Sequence, residues 1–238
     1  MGKSKDLASG AAYQDQTESD TRYVNTAGDT MTGRLHLSSA SNSYSTAPVV
    51  QFDTTGTNTN NRKWAVGPAD DAYGNFHIFR SQSQSDSDPV DADGRTLTIT
   101  KDGHVTMASQ PSFAVTKNNG HVTAGNVYIF NSIEHNIGSM YNSSNGRGIA
   151  PVAGRYFVST WLMSEADTTY NNKNYHIRKN GYLLKSVYSA NGGNNHHQWS
   201  WAGLINLSAN DYIDVYANNM SMYGTSAYYS SFCMHLLS

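Results

Sequence analysis

Residues 150–163, APVAGRYFVSTWLM, decide the fold of this chain. From Tyr156 onward the side chains alternate between two faces, which is the period of a β-strand. One face carries Tyr156, Val158, Thr160 and Leu162, and the other carries Phe157, Ser159, Trp161 and Met163. Pro151 and Gly154 predict a turn before the strand. Because both faces are apolar, we expect this strand to lie inside a sandwich or at a subunit interface.

Short segments of the same kind surround this strand. They are residues 113–115, 127–130, 175–179, 182–184, 199–207, 211–216 and 231–237. The dipeptide Asn180-Gly181 predicts a two-residue hairpin turn of type I′, because both residues tolerate positive φ. Residues 141–148 are polar and predict a loop. Roughly eight to ten short strands without a helical period predict an antiparallel jelly-roll sandwich.

Residues 109–238 resemble the globular head domain shared by complement component 1q and tumour necrosis factor. The resemblance rests on blocks in the family's order: Phe113; Ala150-Pro151 with Gly154-x-Tyr156-Phe157; Ile177 with Asn180-Gly181; Ile205-x-Leu207 with Asp211-x-Ile213-x-Val215; Ser230-Ser231-Phe232 with Leu236-Leu237. The family's usual Gly-Asp pair appears as Asn210-Asp211, and Asn tolerates the left-handed conformation that the turn requires. The resemblance implies an all-β jelly roll that assembles as a homotrimer. It assigns to the head core or to trimer packing Phe113, Tyr156, Phe157, Ile177, Ile213, Val215 and Phe232.

A second resemblance lies near the N-terminus. Residues 28–33 read GDTMTG and precede the alternating segment Leu35-His36-Leu37. This pattern is similar to a connector that recurs in bacteriophage tail fibres. The resemblance implies that residues 1–37 form an arm and connector that attach the chain to a virion protein of the tail or baseplate.

The segment between these two resemblances, residues 38–108, predicts a small β module. Its alternating runs are residues 49–52, 63–67, 75–80, 96–100 and 104–107, and Asp102-Gly103 predicts a hairpin turn of type I′. The segment has few large apolar residues, so its core is thin and it gains stability by sharing that core with other copies of the chain. It resembles the β modules of phage fibre shafts, and the third domain is then residues 109–238.

Composition excludes several functions. Charged residues make up 14% of the chain and the net charge is -2, so the basic surface that nucleic-acid binding requires is missing. We expect no membrane insertion, because the sequence lacks an apolar run of about 20 residues. We also expect synthesis in a cytoplasm, because the first residues lack the apolar core of a secretion signal. The single Cys233 predicts a small buried apolar residue.

The sequence does not predict an enzyme. Its Asp and Glu residues fall mainly in turns, where they bond the backbone, and motifs for a nucleophile, phosphate or cofactor are missing. Adjacent histidines in a strand point to opposite faces, so His196-His197 do not form a metal site within one chain. A site built by three copies on the trimer axis stays open. Asp211 and Asp214 are a weak ligand set for calcium.

Binding by loops is the function that the composition favours. Tyr and Trp stack on sugars while Asn and Ser bond hydroxyls, so loops rich in both types suit a glycan or a surface protein. The candidates for receptor binding are Tyr141, Asn142, Tyr170, Asn172, Asn194, His196, His197, Tyr223 and Tyr228.

The sequence therefore predicts a homotrimeric tail fibre that is made in the host cytoplasm, resides in the virion and binds a host-cell receptor. Three equal sites on one fibre raise the strength of attachment through effective concentration. A purely structural head fibre or capsid decoration is the first alternative. A secreted lectin-like protein is the second, and it is disfavoured because the sequence lacks a secretion signal and a collagen-like tract.

Overall fold

The computed structural model describes residues 34–41, 43–53, 56–69, 73–86, 88–166, 172–189 and 194–238. The chain divides after Gly94 into two units, Met1–Gly94 and Arg95–Ser238, and the described residues of each unit are treated separately. The described residues form β-strands and one short 3-10 helix, so the predicted all-β class is confirmed. The phage-like connector at residues 28–33 lies outside the described residues, and the predicted domain boundaries after residues 37 and 108 stay predictions.

The described residues of the first unit form three antiparallel strands, β1 (Val50–Phe52), β2 (Trp64–Gly67) and β3 (Phe76–Arg80). Val66 lies between Val50 and Ile78 in the register of the sheet. The buried apolar residues of this unit are Ala65, Ala69, Phe79 and Val90, against which Tyr44, Ala47 and Val49 pack. This core is small, as the scarcity of large apolar residues predicts.

The second unit contains the remaining strands. They are β4 (Arg95–Ile99), β5 (Val105–Thr106), β6 (Ser112–Thr116), β7 (Asn126–Val127), β8 (Ser132–Ile137), β9 (Tyr141–Asn142), β10 (Arg147–Ile149), β11 (Gly154–Met163), β12 (Lys173–Lys179), β13 (Tyr182–Ser189), β14 (Gln198–Leu207), β15 (Tyr212–Ala217) and β16 (Ser230–Leu236), with a 3-10 helix at Ala227–Tyr229. Strands β4 and β5 form a hairpin.

Two antiparallel sheets form the jelly roll. The first has the order β14-β11-β16-β6-β8, and the second has the order β13-β12-β15-β10-β9 with β7 also paired to β15. The central strand predicted from residues 154–163 is β11, and it pairs with β14 along its whole length. Its inward side chains Tyr156, Val158 and Leu162 are fully buried. The sequence pattern of the central strand therefore places it correctly in the sandwich.

An aromatic group fills the core next to β11. The rings of Phe113 and Phe232 meet edge to face at 4.9 Å, and Tyr128 and Phe130 meet at 4.6 Å. Among the other predicted packing residues, Ile177, Ile213 and Val215 are also fully buried in this core. Edge-to-face contacts of this kind add to the stabilisation that burial alone provides.

Two predicted hairpin turns behave differently. Asn180 and Gly181 have φ of 52° and 82°, as a type I′ turn requires. The prediction for Asp102-Gly103 is wrong, because only Gly103 has positive φ. Ile99 pairs with Val105, so the connection is longer than two residues, and Gly103 N donates to Thr100 O within it.

The predicted loop at residues 141–148 is also wrong. The segment forms the hairpin β9-β10, in which Gly148 pairs with Tyr141. The Tyr141 hydroxyl accepts from Phe130 N at 2.8 Å and donates to Phe130 O at 3.0 Å. The Asn136 side chain bonds both the N–H and the carbonyl of Tyr141. Tyr141 is thus a core residue, and its placement among receptor-binding candidates is corrected.

Candidate functional site

The outward side of the first sheet carries exposed apolar side chains. Phe157 and Leu204 lie opposite each other on β11 and β14 and are 39% and 57% exposed, and Trp161 is 46% exposed. A depression of about 420 Å³ lies beside Trp161 and is lined by Ser159, Thr160, Trp161, Ser200, Trp201, Ala202 and Ser231. We refer to Phe157, Trp161, Ala202 and Leu204 as the apolar sheet face. Large apolar side chains exposed on one face of a sheet are typical of interaction surfaces.

Two residues singled out from the sequence lie at this face. Phe157, assigned to the head core or to trimer packing, lies outside the core because its position in β11 alternates with the buried Tyr156 and Val158, so trimer packing is the part of that assignment that stays a prediction. Cys233 is only half-buried on β16, where its thiol lies 2.8 Å from the Ser159 hydroxyl. The alternation of a strand sends Cys233 outward between the buried Phe232 and Met234, which is why it is not a core residue.

A cluster of histidines and tyrosines lies where the loops after β6, β11, β13 and β15 meet. Tyr223 is its centre, with ring centroids of His121, His196 and Tyr229 at 5.1, 5.3 and 5.4 Å, all in edge-to-face geometry. The His121 imidazole contacts the carboxylate of Glu165. We call His121, Glu165, His196, Tyr223 and Tyr229 the loop-end cluster.

Two hydrogen bonds hold the backbone of Tyr223 in place within this cluster. Its N–H donates to Met163 O at 2.9 Å, and the Tyr128 hydroxyl donates to its carbonyl at 2.8 Å. Burial raises the pKa of Tyr128 to about 12, so this hydroxyl is a neutral donor at physiological pH. Gly224 follows, and a Cβ there would lie 2.1 Å from Gly120 O, so only glycine permits this approach of the two loops.

A buried lysine holds the other two loops. The Lys173 ammonium donates to Glu165 O at 2.9 Å and to Asn195 O at 3.2 Å. The His196 ring nitrogen Nδ1 lies 2.8 Å from Ser164 O, and Ser164 N donates to His197 O. Buried charges require such compensation. Lys173 therefore fixes the spacing of the loops that carry Glu165 and His196.

The second sheet carries a buried ion pair away from this cluster. Arg178 bonds Asp214 through Nε at 2.6 Å and Nη2 at 2.9 Å, and its guanidinium lies over the Tyr216 ring. Asp211 instead contacts Lys179, which together with Asn180 and the backbone lowers its pKa to about 2. The two carboxylates thus serve separate partners rather than one calcium ion. Among the residues that the structure describes, no three His, Cys, Asp or Glu side chains are placed to hold a metal.

Comparison with known proteins identifies the family. The family model described as C1q domain matches residues 112–237. The chain belongs to the C1q domain family. Complement C1q tumor necrosis factor-related protein 3 of Mus musculus and its Homo sapiens counterpart are each 28% identical over 109 residues, which is 46% of this chain and 44% of each relative. The match therefore spans less than half the length of these relatives.

Two solved structures are also similar to part of this chain. The globular domain of zebrafish complement 1qA protein is 14% identical with a TM-score of 0.45, covering 54% of this chain and 98% of that chain. The Eiger TNF structure from S. frugiperda is 11% identical with a TM-score of 0.45, covering 55% of this chain and 94% of that chain.

Several predicted receptor-binding residues lie at or next to the loop-end cluster of the C1q domain. His196 and Tyr223 belong to it, while Asn194, His197 and Tyr228 are their neighbours in the same loops. Tyr228 is exposed and His197 is half-buried. Asn172 is exposed one residue before Lys173. Tyr170 lies outside the described residues, and Asn142 belongs to the β9-β10 hairpin of the second sheet.

Two residues that complete the cluster, His121 and Glu165, were not predicted. His121, Glu165, Tyr229 and Lys173 come from separate loops or strands, and only the C1q fold brings them together. Exposed phenol and imidazole rings next to a carboxylate provide stacking surfaces and hydrogen-bonding groups. This arrangement suits the binding of a polar ligand. In the part of the chain that the structure describes, no helix is long and apolar enough to cross a membrane.

Proposed function

We propose that this chain is a homotrimeric binding protein whose C1q domains associate through the apolar sheet face. The observation that carries the proposal is the exposure of Phe157, Trp161 and Leu204 on one side of a sheet whose other side forms the core. Three large apolar groups on a single face favour burial by a second subunit. Domains of the C1q and tumour necrosis factor families form homotrimers, which supports a trimer here.

The loop-end cluster is the receptor-binding site in this proposal. Tyr223, Tyr229 and the neighbouring Tyr228 present aromatic rings, and His121 and His196 add hydrogen-bonding groups. Such a surface recognises a glycan or a polar protein surface. One trimer carries three such sites, so each site needs only modest affinity for firm attachment.

We further propose that this binding protein is a bacteriophage tail fibre that adheres to a host cell. The support is the sequence of residues 28–37, which resembles a tail-fibre connector and precedes a thin β module. In this proposal the protein is a virion component without enzymatic activity, and its N-terminal arm binds the tail or baseplate.

The mass of the chain in solution tests the assembly. Light scattering of the full chain gives a mass near three times 26.0 kDa if the proposal is correct. The substitution Trp161→Lys places a charge in the interface and yields monomers that stay folded by circular dichroism. Tyr182→Lys is the matched control, because Tyr182 is also an exposed aromatic residue but lies on β13 of the other sheet. A monomeric wild type contradicts the proposal.

Cell binding tests the adhesion. Fluorescently labelled full chain is incubated with a panel of bacterial species and with mammalian cells, and bound chain is measured by flow cytometry. We expect binding to particular bacteria that the Trp161→Lys monomer lowers by about 100-fold or more through loss of multivalency. Tyr228→Ala lowers binding at unchanged trimer mass, because Tyr228 is exposed beside the cluster. A trimer that binds no cell favours the purely structural alternative.

The curated relatives favour a second candidate function, namely a C1q/TNF-related protein that acts on animal cells. The observation behind it is the 28% identity to the mouse and human proteins over 109 residues. Selective binding to mammalian cells in the same panel supports this candidate and contradicts the tail fibre.

A further inference from the structure

The first unit has an apolar face of its own. Phe52 on β1 lies opposite Trp64 on β2, and the next row of the same face joins Val50, Val66 and Ile78. Phe52, Trp64 and Phe76 are 56%, 41% and 42% exposed. We call Val50, Phe52, Trp64, Val66, Phe76 and Ile78 the first-unit face. These side chains alternate with Ala65, His77 and Phe79, which are buried on the opposite side.

The described residues of this unit bury few apolar side chains. Its described core consists of Ala65, Ala69, Phe79 and Val90, of which only Phe79 is a large side chain. Three large aromatic side chains, Phe52, Trp64 and Phe76, thus face outward, whereas the core contains only one. A small unit of this kind gains stability when its exposed face is covered.

The exposed area limits what covers this face. Aromatic side chains contribute roughly 150–250 Å² each when buried, so three of them at about half exposure leave on the order of 300 Å². Free partners that associate stably bury about 800 Å² each. The first-unit face is therefore too small to hold a separate protein, and it suits a partner that is already tethered nearby.

We propose that the first-unit faces of different copies of this chain pack together in the assembled protein. The inference rests on the trimer of the proposed function, in which the C1q domains tether three first units and supply the effective concentration that a small face requires. The occupant is a second copy of the same face. The core of the first unit is thereby completed between chains.

Disulfide cross-linking of the full chain tests the proposal. Cysteines are placed singly as Val50→Cys, Phe52→Cys and Phe76→Cys in a Cys233→Ser background, which removes the only native thiol. Gln51→Cys is the matched control, because Gln51 is exposed on the same strand but points to the opposite side. Each variant is first checked by light scattering and melting, then oxidised and analysed on non-reducing gels.

We expect covalent dimers from at least one first-unit face position and none from Gln51→Cys. If the chain is trimeric but no face position cross-links, the inference is overturned while the trimer proposal stands. This is also the outcome expected if another segment of the same chain covers the face. Equal cross-linking of Gln51→Cys also overturns it, because the contact is then not specific to the face. A monomeric mass of the parent Cys233→Ser chain and of the wild type overturns both proposals together.

Discussion

The hydroxyl of Thr160 lies 2.9 Å from the phenol oxygen of Tyr175. Thr160 belongs to β11 in one sheet and Tyr175 to β12 in the other, so this hydrogen bond crosses the core of the sandwich. Both residues are buried. A polar contact between otherwise apolar layers requires one relative position of the sheets, since any shift leaves two hydroxyls without partners.

Removing one partner of this bond destabilises the domain. Tyr175→Phe leaves the Thr160 hydroxyl buried and unpaired, so the free energy of unfolding falls by about 1–3 kcal/mol. Urea denaturation followed by circular dichroism measures the change. Tyr182→Phe is the control, because Tyr182 is exposed, and its effect stays within about 0.5 kcal/mol. Equal stability of the two variants contradicts the prediction.

Alkaline pH weakens the fold through the same residue. Burial raises the pKa of Tyr175 to about 12 from 10.0, and burial does the same for Tyr128. The folded state thus favours the protonated phenols, so their stabilisation is complete below pH 10.0 and is lost as the pH rises toward about 12. The free energy of unfolding, measured by urea denaturation across this pH range, falls less steeply in Tyr175→Phe than in wild type. Parallel curves for the two proteins contradict this assignment.

The ion pair of Arg178 and Asp214 is a second determinant of stability. Asp214 is buried, and the hydrogen bond to Asp214 raises the pKa of Arg178. Asp214→Ala leaves a partly buried guanidinium without its carboxylate and lowers the free energy of unfolding by about 3 kcal/mol or more. Asp102→Ala is the control, because Asp102 pairs with Lys101 at the surface and its loss costs at most about 1 kcal/mol. Chemical denaturation distinguishes the two.

Lys173 controls the loops rather than the whole domain. Lys173→Met removes the donor that bonds the carbonyls of Glu165 and Asn195, so the two loops lose their shared tether. Hydrogen exchange therefore accelerates at residues 164–166 and 194–197 more than in β11. Lys185→Met is the control, because Lys185 is exposed on β13. Uniform acceleration throughout the sandwich contradicts a role confined to the loops.

Local patterns in the sequence correctly predict individual strands and turns, because neighbouring residues determine these features. The alternation in β11 is correct, and Asn210 adopts the positive φ of 70° that its turn requires. The dipeptides Asn180-Gly181 and Asp102-Gly103 look alike, yet only the first forms a two-residue turn. Register makes the difference, because Lys179 pairs with Tyr182 whereas Ile99 pairs with Val105. Register depends on the other strands of each sheet, which a dipeptide does not specify.

Burial of polar-looking segments is harder to predict. Tyr141 lies among Asn and Ser residues and reads as part of a loop, but its hydroxyl finds both a donor and an acceptor at Phe130. The contact of His121 with Glu165 joins residues from distant parts of the chain. Neither contact has a local signature, so the loop-end cluster follows only from the complete fold.

The way in which Lys173 holds its loops bears on how this surface changes during evolution. The ammonium bonds carbonyl oxygens of residues 165 and 195, and every amino acid supplies a carbonyl oxygen. Side chains at these positions are thus free to vary while the anchor persists. A population under selection for new targets can exchange recognition residues one at a time without first rebuilding the scaffold that presents them.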